Sequence, residues 1–270
     1  MNIIDTHTHS SFSFDGENTP REMADRAAEL GLSALTFTDH IDVNDYYGSN
    51  YKESELMPIA AVEIPKLKDE YSDRLKIGFG AEIGQYLHNP ALARQLIKEF
   101  DLDYVIGSTH NVRAHNDFFY MDFHEENPEE LLRLYFGEML EIAESADTDV
   151  LGHLTYPLRY ITGRDRIAVD MSRYTELIQE IFKAAANRGI GLEINTGGLR
   201  KQGYDKADPD IEYVRLFREC GGEIVTIGSD AHRTGDIAAN FKQGAEIAKS
   251  AGFKQIAYFE KRKPIFVDLL

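Results

Sequence analysis

Residues 2–40 read NIIDTHTHSSFSFDGENTPREMADRAAELGLSALTFTDH, and this stretch decides the fold. It opens on a short apolar run, Asn2-Ile3-Ile4-Asp5-Thr6-His7, which reads as a strand. Thr19-Pro20 then offers a helix N-cap and a proline for the first turn, and Gly31 stops that helix after Leu30. Residues 33–38 are a second short apolar run. The unit is strand, helix, strand, and it recurs to the end of the chain. A helix over 54–71, disturbed at Pro58 and Pro65, leads to a third strand at 76–82, with a helix after Pro90. The fourth strand is 104–108 with a helix over 128–146. The fifth is 149–153 with a helix over 171–187. The sixth is 191–195 with a helix over 209–219, and the seventh is 223–228 with a helix after Gly235. A last run, 256–259, is expected to close the sheet edge. Seven βα units with no linker between them argue for an α/β parallel barrel over a doubly wound open sheet. A chain of 270 residues holds one such barrel, so residues 1–270 are read as a single domain.

Composition narrows the function. The chain is 43% hydrophobic and 28% charged, enough to build a core and unlike a disordered segment. Its net charge of -17 comes from 29 basic and 46 acidic residues. That argues against nonspecific partners such as nucleic acid or an anionic membrane. The single cysteine, Cys220, excludes an intramolecular disulfide and a multi-cysteine metal site, and reads as a structural thiol. No run approaches the length of a membrane span and the N-terminus lacks a signal-peptide layout, so a cytoplasmic protein is expected.

The informative residues are the polar ones that close each strand. The first strand ends in His7-Thr8-His9, with Asp15 in the loop that follows. The second ends in Asp39-His40, the third in Glu82, the fourth in His110 and the fifth in His153. The sixth carries Glu193 and Asn195, and the seventh ends in Asp230-Ala231-His232. In a parallel barrel these ends converge on one face, which is where barrel active sites lie. Residues i and i+2 of a strand point to the same side, so His7 and His9 can hold one ion together. Imidazole and carboxylate suit zinc, manganese and iron(II), and so many donors exceed what one ion takes. A glutamate such as Glu82 can bridge two ions. A lone histidine at a strand end is ordinarily a hydrogen-bonded core residue. Here six of the nine histidines fall at or just after strand ends, and that coincidence points to metal. His88, His115 and His124 lie in loops or helix starts and read as surface residues, His115 being best placed to reach the site. Asp39 cannot share the face of His40 and is expected to orient an imidazole from behind.

These motifs resemble the PHP (polymerase and histidinol phosphatase) superfamily of metal-dependent phosphoesterases. They are Asp5-Thr6-His7-Thr8-His9-Ser10, Thr38-Asp39-His40, Gly80-Ala81-Glu82, Ser108-Thr109-His110, Gly152-His153 and Gly228-Ser229-Asp230-Ala231-His232. The resemblance implies a distorted (β/α)7, TIM-like barrel with three divalent ions (Zn, Mn or Fe) at the C-terminal ends of the strands. It places His7, His9, Glu82 and Asp230 on one ion, Glu82, His110 and His153 on a second, and Asp15, His40 and His232 on a third. Asp15 stands where many relatives carry histidine, which favours harder ions such as manganese or iron. The stretches Glu193-Ile194-Asn195-Thr196-Gly197-Gly198-Leu199-Arg200-Lys201 and Tyr156-Pro157-Leu158-Arg159-Tyr160 are similar to the histidinol-phosphate phosphatase branch. That implies a small phosphorylated substrate, histidinol phosphate, cleaved by a hydroxide bridging two ions.

Phosphate invites a planar cationic fork, and Arg159 and Arg200 in the loops after the fifth and sixth strands are the candidates, with Arg113 and Lys201 behind them. Asp42, Asp45 and Asp117 are candidates for the amine and imidazole of histidinol. Catalytic roles are expected for Glu82, Asp230 and His232, with Asp230 or a nearby histidine protonating the departing alkoxide. Other phosphoesterase activities, on a nucleotide, a phosphotyrosine or a phosphodiester, remain alternatives within the fold. Exonuclease action is disfavoured by the lack of a basic track. An amidohydrolase would place a lysine at a middle strand end, and none is there. A regulatory barrel without catalysis sits poorly with so complete a ligand set.

Overall fold

The protein is described by a computed structural model over residues 2–43 and 56–269. The elements in chain order are β1 (Ile4–Thr8), α1 (Pro20–Glu29), β2 (Ala34–Phe37), β3 (His40–Asp42), α2 (Met57–Glu70), β4 (Lys76–Gly84), α3 (Pro90–Glu99), β5 (Tyr104–Ser108), α4 (Pro128–Ser145) and β6 (Val150–Leu151). They continue with α5 (Thr175–Asn187), β7 (Gly191–Asn195), α6 (Ile211–Glu219), β8 (Val225–Gly228), α7 (Phe241–Ser250), β9 (Gln255–Glu260) and β10 (Lys263–Asp268). Seven parallel strands are hydrogen-bonded in the order β1-β2-β4-β5-β6-β7-β8, with β3 lying beside β4. The ladder does not run on from β8 to β1; that seam is closed by single bonds, among them Thr6 Oγ1 donating to the Ile227 carbonyl at 3.0 Å. The result is the expected barrel, nearly closed, with helices between its strands.

Local chemistry explains the elements. Thr19 caps α1 and Glu22 bonds back to the Thr19 N–H at 2.8 Å, a capping box with Pro20 in the first turn. Asn89 and Asn127 cap α3 and α4, each with proline next. Strands β1, β5 and β7 are buried at every position, as expected of parallel strands covered on both faces. Pro65 lies inside α2 without ending it, and the expected start of that helix at Ser54 lies outside the described residues. No described helix is long and apolar enough to cross a membrane.

Three expectations change. The second strand breaks at Thr38-Asp39, where Asp39 turns away to accept hydrogen bonds from the Ser10 N–H at 2.6 Å and the Ser13 hydroxyl at 2.8 Å. The register resumes in β3, setting His40 opposite Glu82. The fifth strand shortens to Val150–Leu151, because the His153 N–H leaves the ladder for the Glu193 carboxylate. Finally, 256–259 does not close the sheet. It belongs to β9, which pairs antiparallel with β10 as a separate hairpin. That hairpin caps the end of the barrel opposite the histidines. Phe259 stacks on Tyr104 with ring centres 4.9 Å apart, and Arg262 bonds to Asp149 at 2.5 Å.

Candidate metal centre

Glu82, near the end of β4, is the hub. Its two oxygens divide five histidines between them. Oε2 lies 3.3 Å from His7 Nε2, 3.6 Å from His9 Nε2 and 2.9 Å from His40 Nδ1. Oε1 lies 3.3 Å from His110 Nε2 and 2.7 Å from His153 Nε2. Four strands, β1, β3, β5 and β6, deliver these rings to one carboxylate that is itself buried. Asp230 joins from the β8 side, its Oδ1 3.5 Å from His9 Nε2 and 3.8 Å from His7 Nε2. Asp15 reaches His232 at 3.0 Å and His40 at 3.7 Å. All nine residues expected to ligate are brought together.

His7, His9 and His232 are held through Nδ1, which leaves their Nε2 atoms facing inward, whereas His40 turns Nδ1 toward Glu82. The Ser13 hydroxyl donates to Asp39 and sits 3.2 Å from His9 Nδ1, so that nitrogen is the donor. His232 Nδ1 donates to the Asp230 carbonyl at 3.1 Å. Asp39 thus acts on an imidazole through Ser13 and touches none directly, a refinement of its expected role. The consequence is a crowd of acceptors: His7 Nε2 and His9 Nε2 are 3.0 Å apart. Glu82 Oε2, His40 Nδ1 and His153 Nδ1 are buried with no hydrogen-bond partner. Imidazole nitrogens and carboxylate oxygens crowded this closely around Glu82 fit divalent cations. The groups His7-His9-Asp230, Glu82-His110-His153 and His9-His40-His232 each bring three ligand atoms within 4.8 Å of one another.

Charge tells the same story. Burial alone would raise Glu82, but His7, His110 and His40 hold it well below the usual carboxylate range. Asp230 is likewise held low against burial by His7, His9, Arg159 and His232. Burial opposes a charged His40, yet Glu82, Asp15 and Asp42 push it up to about 9. His9 is driven well below the histidine range, first by burial and then by His40 and His232.

Beside the cluster lies a cavity of about 610 Å³ lined by metal-centre residues, by Arg159, Arg200, Lys201 and Arg233, and by Asp42 and Asp117. Its mouth carries aromatic side chains, of which Phe14, Phe119 and Tyr120 are exposed. This cationic wall stands among seven carboxylates of the same lining, Glu17 and Asp236 included, and a phosphoryl group matches it. The two candidate arginines differ. Arg159 is buried, with Nε on Asp208, Nη1 3.2 Å from Asp230 and Nη2 2.9 Å from Asn195. Arg200 donates from Nη2 to the Asp230 carbonyl, and its buried Nη1 has no partner. Arg113 is not at the cavity, since Glu138 and Glu141 hold it at 3.0 and 2.5 Å. His88 is a correction of another kind: its side chain is buried, 4.0 Å from Glu138, not on the surface. His115 does not line the cavity, and His124 is exposed as expected. Asp45 lies outside the described residues. Ser13, Asp208 and Arg233 were not singled out from sequence; Ser13 and Asp208 act through Asp39 and Arg159, 26 and 49 positions away, and Arg233 pairs with Asp236 at the cavity rim.

The chain is similar to known proteins. Residues 5–197 match the PHP domain family. The histidinol-phosphatase of Lactococcus lactis is 30% identical over 268 residues, covering 97% of this chain and 96% of that protein. A probable histidinol-phosphatase of Thermotoga maritima is 30% identical over 262 residues, 96% and 97% of the two chains. The crystal structure of histidinol phosphate phosphatase from Lactococcus lactis, complexed with zinc, L-histidinol and phosphate, superposes with a TM-score of 0.82. It is 28% identical in sequence and the match covers 98% of this chain and 99% of that one. The histidines around Glu82, the barrel that presents them and these matches together establish that the chain belongs to the PHP domain family.

Proposed function

We propose that this chain is a metal-dependent phosphomonoesterase that hydrolyses L-histidinol phosphate to L-histidinol and phosphate. The observation that carries the reading is the split of five histidines between the two oxygens of Glu82, beside a cavity with a cationic wall. Three divalent ions (zinc, manganese or iron) would be held by His7, His9 and Asp230, by His110 and His153, and by Asp15, His40 and His232, with Glu82 shared by the first two. Bound there, such ions neutralise phosphoryl oxygens and acidify water toward neutral pH. The chain's own residues do the rest. Arg200 offers its unpartnered Nη1 to a phosphoryl oxygen, and Arg159 braces Asp230 from the same wall. Asp42 and Asp117 give the cavity an acidic side suited to the ammonium and imidazole of histidinol, and aromatic rings at the mouth cover the leaving group.

The test is hydrolysis by protein stripped of metal and reloaded in turn with Zn²⁺, Mn²⁺ and Fe²⁺. The expected result is inactivity without metal and a kcat/KM for histidinol phosphate well above that for p-nitrophenyl phosphate, a nucleoside monophosphate, phosphotyrosine or a phosphodiester. Preference for any of the other four overturns the substrate assignment, and full activity in chelator overturns the metal dependence.

A further inference from the structure

We propose that Glu193 is a positioning residue of the metal centre, one that fixes which nitrogen of His7 faces the ions and anchors the backbone that carries His153. The proposal rests on the metal-centre reading above. Glu193 sits in the middle of β7, fully buried, and is not among the residues that line the cavity. It therefore reaches no substrate, and its effect must pass through its neighbours.

Each neighbour is a donor. Glu193 Oε1 accepts from His7 Nδ1 at 2.6 Å. Oε2 accepts from the His153 backbone N–H at 2.8 Å and from Asn195 Nδ2 at 3.3 Å. Carboxylate oxygens only accept, so the proton of His7 resides on Nδ1. The Nε2 lone pair is then free on the side where His9 Nε2, Glu82 Oε2 and Asp230 Oδ1 converge at 3.0, 3.3 and 3.8 Å. The second oxygen does a different job. β6 ends at Leu151, and Glu193 supplies the partner that the strand no longer gives to the His153 N–H. One side chain thus sets the ring of a residue on one side of Glu82 and the main chain of a residue on the other. The packing is shaped for it. A Cβ at Gly228 would collide with both Glu193 Oε1 and the His7 Cβ, so glycine keeps open the place where they meet.

A merely structural strap between β7, β1 and β6 predicts loss of stability and nothing more. A positioning residue predicts a definite His7 tautomer and a change in metal affinity. Two experiments separate them. In zinc-loaded wild-type protein labelled with ¹⁵N-histidine, long-range ¹H–¹⁵N correlation should show His7 protonated at Nδ1, with assignment from a His7→Asn sample. Protonation at Nε2 overturns the proposal and requires no variant that has to fold. In Glu193→Gln, the amide must turn its NH₂ toward at least one of the three donors. Zinc affinity, measured by competition with a chromophoric chelator, should fall about 10- to 100-fold while Glu193→Asp recovers part of it. A folded Glu193→Gln protein with wild-type zinc affinity overturns the proposal. Neither readout uses a substrate. If zinc binds as expected and histidinol phosphate is not cleaved, the substrate assignment fails and the role of Glu193 stands.

Discussion

Arg159→Ala and Arg200→Ala should part company, although the sequence places both in loops on the same face. Arg159 has an acceptor for each guanidinium nitrogen, and Asp208, one of them, is fully buried. Truncating Arg159 strands that carboxylate and removes one brace from Asp230. Breaking a buried pair on one side is worth roughly 3–5 kcal/mol, which for a domain of this size lowers Tm on the order of 10 °C. Metal content should drop with it, because Asp230 loses its orientation. Arg200 is different: a quarter of its side chain is exposed, and Nη1 has nothing to hold within the protein. Its removal should leave Tm within about 2 °C and metal content unchanged. A charge-assisted contact to a phosphoryl oxygen contributes roughly 1.5–3 kcal/mol, so kcat/KM should fall about 10- to 100-fold. The loss should be equal for histidinol phosphate and p-nitrophenyl phosphate, which share only the phosphoryl group, and Arg200→Lys should restore part of it. Differential scanning fluorimetry, elemental analysis and steady-state kinetics on the same preparations decide the matter. If Arg200→Ala hydrolyses both substrates like wild type, the phosphate has been placed on the wrong side of the cavity. If Arg159→Ala melts like wild type, the buried pair with Asp208 contributes nothing and the reasoning about it is wrong.

Two further outcomes are expected. Glu82→Gln should release more metal, by elemental analysis, and lose more kcat than replacement of any terminal ligand such as His110→Asn, because its two oxygens face separate groups of histidines; an equal or milder loss refutes the bridge. In metal-free protein, His40 is raised to about 9, so its contribution to stability is complete below the ordinary histidine value near 6.5 and is lost as pH climbs through about 9. Up to about 3 kcal/mol of unfolding free energy should disappear across that window, measured by urea titration, and His40→Gln should flatten the slope.

The strand ends were legible because parallel topology does the gathering: once each apolar run is read as a strand, His7, His9, His40, Glu82, His110, His153 and Asp230 must meet. Glu82 as a carboxylate able to serve two groups of histidines also followed from counting donors, and its two oxygens do face separate groups. What lay behind the ligands was hidden. Arg159 and Asp208 are 49 positions apart and His7 and Glu193 are 186 apart, and no local period relates them. Ser13 could not be placed until the chain was seen to break at Thr38-Asp39. The C-terminal hairpin was misjudged because 256–259 has the composition of a barrel strand, and contacts from far along the chain, Phe259 on Tyr104 and Arg262 on Asp149, show that it seals the far end. His88 reads as a loop residue and is buried because α4 brings Glu138 over it.

The incomplete ladder between β8 and β1 has a consequence of its own. His7 and His9 stand on one side of that gap, and Asp230 and His232 on the other. Across it, the Asp230 N–H bonds to the His7 carbonyl and the His9 N–H to that of Ala231, each at 2.8 Å. Any ion shared by His7, His9 and Asp230 is therefore a clasp between two segments more than 200 residues apart in the chain, drawn shut where the sheet itself stops. Ligand affinity for the folded state adds directly to its free energy, so loading the site also locks the cylinder. Slow-exchanging amides in β1 and β8 then report on ion supply, and starvation for metal becomes, for this chain, a question of lifetime as well as of turnover.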